Sequence, residues 1–132
     1  MKSWIANFSE KMKYFFDTYA IMEIIEDNKN YEKYKEEDVI TSILNVGELY
    51  YSLLKKNVQA TAETWHEKLK QSALLVDAEI IKTAMKFRFE NKNKKFSFID
   101  CVGYVLAKEK NLKFLTGDEG FKNMENVEFV KK

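Results

Sequence analysis

Two short apolar runs, each closed by an acid, constrain this chain most. Tyr14-Phe15-Phe16 stops at Asp17, and residues 112–115 stop at Thr116-Gly117-Asp118. A third run, residues 127–130, lies near the C-terminus. None shows the strict apolar–polar alternation of a strand with one wet face, so each predicts a strand covered on both sides. The stretches between them carry helical spacing instead. Residues 18–27 place Tyr19, Ile21, Met22, Ile24 and Ile25 on a helix that Asn28-Lys29-Asn30 breaks. A polar helical stretch is expected over residues 31–37. Thr41 or Ser42 caps the next helix, with Ile43, Val46, Tyr50 and Leu53 on one face, and Asn57 ends it. Further helices are predicted over residues 60–71, over 78–88 behind the cap Asp77, and over 98–110 behind Ser97. Residues 73–76 read as a short strand or an extended link. Strands covered on both faces and separated by helices argue for an α/β domain with a short, largely parallel sheet.

The 132 residues suffice for one domain with a real core. Neither a repeat nor a Gly/Ser-rich linker divides them, so residues 14–132 read as one unit behind a leader, residues 1–13. Hydrophobic residues at 45% and charged residues at 33% exclude a disordered chain. A single cysteine forms no internal disulfide, which fits a reducing cytoplasm. No apolar run approaches the roughly 20 residues of a membrane span, and the leader lacks a signal-peptide core. The net charge of +1 gives no sign of polyanion binding, so any such footprint must be local. One basic concentration exists, made of Lys82, Lys86, Arg88, Lys92, Lys94 and Lys95. It reads either as a phosphate-tracking patch or as a solvated helix end and loop.

In open α/β sheets, ligands bind beyond the carboxyl ends of the strands. Asp17 and Asp118 both fall there, although a helix cap and a turn residue would explain them singly. Asp100 lies in the first turn of a helix that is apolar nearly all round, Phe98 to Leu106, and hence buried. Ser97-Phe98-Ile99-Asp100 also has capping-box spacing, and Gly103 would let other backbone approach. Glu48 shares a helix face with Asn45 and on its own reads as a solvated acid. Together the four make a different case. Carboxylates crowded at one place repel one another unless a cation neutralises them. Oxygen donors without a His or Cys cluster select a hard cation such as Mg²⁺ or Mn²⁺. His66, the sole histidine, reads as a surface or packing residue. Trp4, Tyr31, Tyr34 and Trp65 are candidate surface anchors for a partner.

Four segments carry a family resemblance: Phe15-Phe16-Asp17-Thr18-Tyr19-Ala20-Ile21, Asn45-Val46-Gly47-Glu48-Leu49, Phe96-Ser97-Phe98-Ile99-Asp100-Cys101 and Leu115-Thr116-Gly117-Asp118-Glu119-Gly120-Phe121. In order, spacing and context the chain resembles the PIN-domain nucleases, and among them the VapC-type toxins of toxin–antitoxin pairs. The resemblance implies a three-layer α/β/α domain with an acidic, Mg²⁺- or Mn²⁺-binding pocket of Asp17, Glu48, Asp100 and Asp118. Thr116, Ser97 and Thr18 would be supporting hydroxyls, and Lys86, Arg88, Lys92, Lys94 and Lys95 would meet RNA. It further implies hydrolysis of RNA to 5′-phosphate and 3′-hydroxyl ends, a cognate antitoxin laid into a groove between residues 18–27 and 41–56, and a homodimer. An RNA-processing nuclease outside a toxin–antitoxin pair, or a non-catalytic protein on the same fold, are the alternatives. A receiver-type phospho-acceptor is set aside, because Asp17 has no acidic neighbour and Lys113 precedes its strand's end.

Overall fold

The computed structural model describes residues 13–132. Residues 1–12 of the leader, Trp4 among them, lie outside the described residues. In chain order the elements are β1 (Tyr14–Phe16), α1 (Thr18–Ile25), a 3₁₀ segment (Lys29–Tyr34), α2 (Ile43–Lys55), α3 (Gln59–Leu69) and α4 (Ala78–Glu90). A 3₁₀ turn (Lys92–Lys94), α5 (Phe98–Glu109), β2 (Lys113–Thr116), a 3₁₀ turn (Glu119–Phe121) and β3 (Val127–Phe129) follow.

The three strands form one wholly parallel sheet in the order β1-β2-β3. Phe15 pairs with Phe114, Phe16 with Leu115, and Thr116 with Phe129. This register brings Thr116 level with the end of β1, where the Asp17 amide donates to the Leu115 carbonyl at 3.0 Å. Ile40 extends the free edge of β1 by a parallel bridge to Phe15.

Each sheet face has its own core. Phe15 and Phe114 lie with Phe96, Phe121, Tyr104 and Val102 under α4 and α5. Phe16 and Leu115 pack against Ala20, Ile21, Val46, Leu49 and Tyr31 from α1, α2 and the first 3₁₀ segment. The strand pleat sends successive side chains to opposite faces, which is why adjacent phenylalanines fill separate cores. The domain is therefore the expected α/β/α sandwich.

Four details depart from the sequence reading. The stretch expected as a helix over residues 31–37 is the 3₁₀ segment Lys29–Tyr34, capped by the Asn28 side chain. Tyr31 and Tyr34 are buried instead of being surface anchors. Their hydroxyls have partners inside the protein, Tyr31 at the Val130 carbonyl and Tyr34 at Glu128. Ile43 is 38% exposed, because α2 turns Asn45, Val46, Leu49 and Leu53 inward instead. Gly103 admits rings, not backbone: a Cβ there would meet Phe15 and Phe114 ring carbons at 3.1 and 3.2 Å. Among the described residues, no helix is long and apolar enough to cross a membrane.

Candidate active site

The site forms where the parallel strands end and the helix N-termini begin. Asp17 leaves β1 and caps α1, its Oδ1 accepting from the Thr18 amide at 2.9 Å. Its Oδ2 accepts from the Thr116 hydroxyl at 2.7 Å, which spans the β1–β2 register. Thr116 Oγ1 in turn accepts from the Asp118 amide at 3.1 Å, shaping the turn that carries the next acid. That turn needs Gly117: a Cβ there would stand 2.7 Å from the Val130 carbonyl and 2.8 Å from the Tyr31 hydroxyl. Asp118 Oδ1 accepts from the Gly120 amide and opens the Glu119–Phe121 turn.

Asp100 sits in the first turn of α5, in a reciprocal capping box with Ser97. Its Oδ2 accepts from the Ser97 amide at 2.9 Å, and Ser97 Oγ accepts from the Asp100 amide at 3.1 Å. Asp100 is therefore a capping-box residue, and its side chain also lines the cavity described below. Glu48 projects from α2, one turn beyond the fully buried Asn45.

All four acids line one cavity of about 580 Å³, with Thr18, Tyr19, Met22, Glu23, Ser52, Gly117 and Glu119 completing its wall. Residues of α1 and α2 form two sides of this cavity, and its lining is largely acidic and polar, not the hydrophobic groove expected between those helices. Of the supporting hydroxyls, Thr116 holds Asp17 and Thr18 lines the cavity, whereas Ser97 is exposed and serves as the α5 cap. Two carboxylates were missed in the sequence. Glu119 directly follows Asp118, and Glu23 lies five residues beyond Thr18 on α1. Glu23 is only 6% exposed and accepts from Asn28 Nδ2 at 2.6 Å. The i, i+3, i+4 spacing of Tyr19, Met22 and Glu23 was the available signal, but two of those residues read as core.

Electrostatics mark Asp17 as the strained member. Only 3% of it is exposed. Burial pushes its carboxyl up to about 8, Asp100 and Glu48 add repulsion, and the Thr116 and Thr18 bonds offset part of the rise. Asp100 is raised as well, chiefly by burial, while its Ser97 bonds and Arg88 pull the other way. A buried carboxylate in this state holds a proton or faces a cation. Among the described residues, no three acidic, His or Cys side chains already converge as an ion cage. The four acids stand on the walls of an open pocket. Their all-oxygen chemistry, with Asp17 short of a counter-charge, fits a hard divalent cation.

The basic residues divide. Arg88 Nε donates to the Phe96 carbonyl and Lys94 Nζ to the Gly120 carbonyl, so both sit beside the acid-bearing turns. Lys82 and Lys86 line a separate cavity with exposed Phe89, and Lys92 lies 4.7 Å from that ring. Lys95 caps the loop in a left-handed conformation. His66 packs edge-on against Tyr50, away from the cavity lining. Half-buried Trp65 stacks under Lys68.

A parallel α/β/α sandwich with carboxylates gathered at its strand ends defines the class. The chain belongs to the PIN domain family, whose model matches residues 14–127. Solved structures share the fold. VapC20 of Mycobacterium tuberculosis, a sarcin-ricin loop cleaving toxin, aligns with a TM-score of 0.73 at 18% identity, over 89% of this chain and 99% of its own. A toxin–antitoxin complex from Klebsiella pneumoniae gives 0.68 at 14% identity, over 88% and 96%. VapBC2 from Rickettsia felis, bound to a DNA fragment from its promoter, gives 0.64 at 18% identity, over 90% and 99%. No curated protein matches the chain in sequence.

Proposed function

We propose that this protein is a divalent-cation-dependent endoribonuclease and the toxin of a VapBC-type pair. The observation that carries the reading is the meeting of Asp17, Glu48, Asp100 and Asp118 on one cavity, with buried Asp17 lifted to about 8. Asp17 and Asp100 are the anchors for Mg²⁺ or Mn²⁺, since both are fixed by hydrogen bonds to their own frame. Glu48 and Asp118 flank them and orient the attacking water. When bound, such a cation acidifies water and offsets charge on a phosphoryl oxygen. Water adds at phosphorus, the 3′-oxygen leaves with a proton, and the 5′-phosphate remains on the other fragment.

Arg88 and Lys94, beside the acidic turns, are the first cations an RNA backbone would meet. The wider set of Lys86, Lys92 and Lys95 extends that surface. The toxin assignment rests on the PIN fold and on the toxin–antitoxin systems among its structural relatives. A cognate antitoxin in the α1–α2 groove, a homodimer and a cytoplasmic setting follow from it.

The test is cleavage of a panel of tRNA and structured RNA with Mg²⁺, with Mn²⁺ and with EDTA, beside an Asp100→Asn variant. Cleavage abolished by EDTA and by the variant supports the reading. Cleavage that survives both overturns it.

A further inference from the structure

Three hydroxyls meet the Asp17 frame, and counting their protons separates them. Ser42 is fully buried, and its one acceptor among the described residues is Asn45 Oδ1 at 2.6 Å. Its proton is committed there, which fixes the orientation of the Asn45 amide. The Asn45 Nδ2 side therefore faces α1 and donates to Thr18 Oγ1 at 3.0 Å. Thr116 has its proton on Asp17 Oδ2 and a lone pair on the Asp118 amide, so it has nothing to give a ligand.

Thr18 differs. Its oxygen accepts from Asn45, while its own proton has no acceptor among the described residues. The usual outlet for a helical threonine is the carbonyl four residues back. Thr18 is the first residue of α1, and no such bond forms there. The residue is 7% exposed and that surface lines the acidic cavity. Ser52 and Tyr19 also face the cavity, but neither is as buried and neither is bonded to the Asp17 frame.

We infer that Thr18 Oγ1–H is a catalytic hydrogen-bond donor to a non-bridging oxygen of the scissile phosphodiester, held in its donating orientation by Asn45 and Ser42. The inference rests on the ribonuclease reading above. Its chemistry is plain. A pocket walled by carboxylates has many acceptors and few donors, and an anionic phosphoryl oxygen needs a donor once it enters. A hydroxyl whose oxygen is already occupied meets it without reorganising, which is the condition for differential stabilisation of the transition state. Asn45 acts through Thr18 and is a positioning residue.

The test compares wild type with Thr18→Val and Thr18→Ser on a random-sequence single-stranded RNA pool in Mg²⁺, with and without phosphorothioate substitution. Thr18→Val should lower kcat about 10- to 100-fold with little change in KM, and Thr18→Ser should restore most of it. Mn²⁺ affinity should be unchanged in both. Slowing of one phosphorothioate diastereomer should be smaller in Thr18→Val than in wild type, because the bond it perturbs is already gone. Should the valine variant fold poorly, Thr18→Ala, which admits water to Asn45, reads the same quantities. Wild-type kcat in the valine or alanine variant overturns the assignment and leaves the nuclease reading intact. Loss of Mn²⁺ affinity in step with kcat overturns it too, by moving Thr18 to cation binding. No cleavage by wild type with either metal removes the nuclease reading and this assignment with it.

Discussion

The two sides of the sheet are built from opposite materials. The side under α4 and α5 is dry and aromatic: Phe96 stacks on Phe121 at 4.0 Å between ring centroids, Phe87 on Tyr104 at 4.8 Å, and Phe114 tilts against Phe121 at 4.8 Å. The other side is where polar groups go under. Asp17, Thr18 and Glu23 on or beside α1, and Thr41, Ser42 and Asn45 leading into α2, are all buried, as is Thr116 at the end of β2. Every one of them has a hydrogen-bond partner, and Thr41 even serves the strand, donating to the Phe16 carbonyl at 2.8 Å. A satisfied buried polar network rigidifies its surroundings, and a half-satisfied one is costly. The dry side holds the fold, and the wet side keeps a carboxyl group where water is scarce at a cost in stability.

Substitutions on the two sides should therefore fail differently. The largest effect belongs to the acids. Asp17→Asn and Asp100→Asn should each lower RNA cleavage by at least ~10³-fold, while circular dichroism shows the fold retained. Next is the dry core. Phe114→Ala should cost about 3–5 kcal/mol in denaturant unfolding, a large share of a typical domain's stability. Whatever fraction stays folded should keep its Mn²⁺ affinity. An Asp17→Asn variant as unstable as Phe114→Ala would erase the contrast.

The pH dependence sharpens it further. Unfolded Asp17 titrates near ~3.9, and in the folded protein near 8. Between those values the native state binds the extra proton, so this group's contribution is complete below pH 4 and is lost as pH rises through 8. Cation-free protein should lose stability across that window, on the order of 5 kcal/mol at most from this group. Saturating Mn²⁺ should flatten the profile by replacing the proton. Thermal melts from pH 5 to pH 9, with EDTA and with Mn²⁺, measure both.

The smallest pair uses one substitution on each side. Gly103→Ala places a methyl against Phe15 and Phe114 and should destabilise by about 1–3 kcal/mol. Gly47→Ala, in the middle of α2 with nothing within 4 Å of its Cβ, should stabilise by about 0.5–1 kcal/mol. Equal effects of the same sign would mean that packing density does not separate the two halves.

Three of the four candidate site acids stand out in the sequence because each sits at a boundary that local patterns mark, whereas Glu48, inside α2, has no such mark and enters only through the family resemblance. Asp17 ends an apolar run, Ser97-Phe98-Ile99-Asp100 spells a capping box, and Asp118 follows a strand and a glycine. What brings them together is the β1–β2 register, a pairing across 99 residues that no local pattern states. Glu23 stayed hidden because a helical stripe of Tyr19, Met22 and Glu23 looks the same whether it lines a pocket or a core. Tyr31 and Tyr34 misled for a related reason. Their polar neighbours suggested surface, and their partners, the Val130 carbonyl and Glu128, lie more than 90 residues away.

Whether the gathered carboxylates are a cation site is tested by titrating the cation-free protein with Mn²⁺ while counting released protons. At pH 7 Asp17 is largely protonated, so binding should release about one proton per protein from it, and near none at pH 9. Asp17→Asn should release correspondingly less and bind more weakly. Failure to bind Mn²⁺, or binding with the same proton count in wild type and Asp17→Asn, would contradict the account.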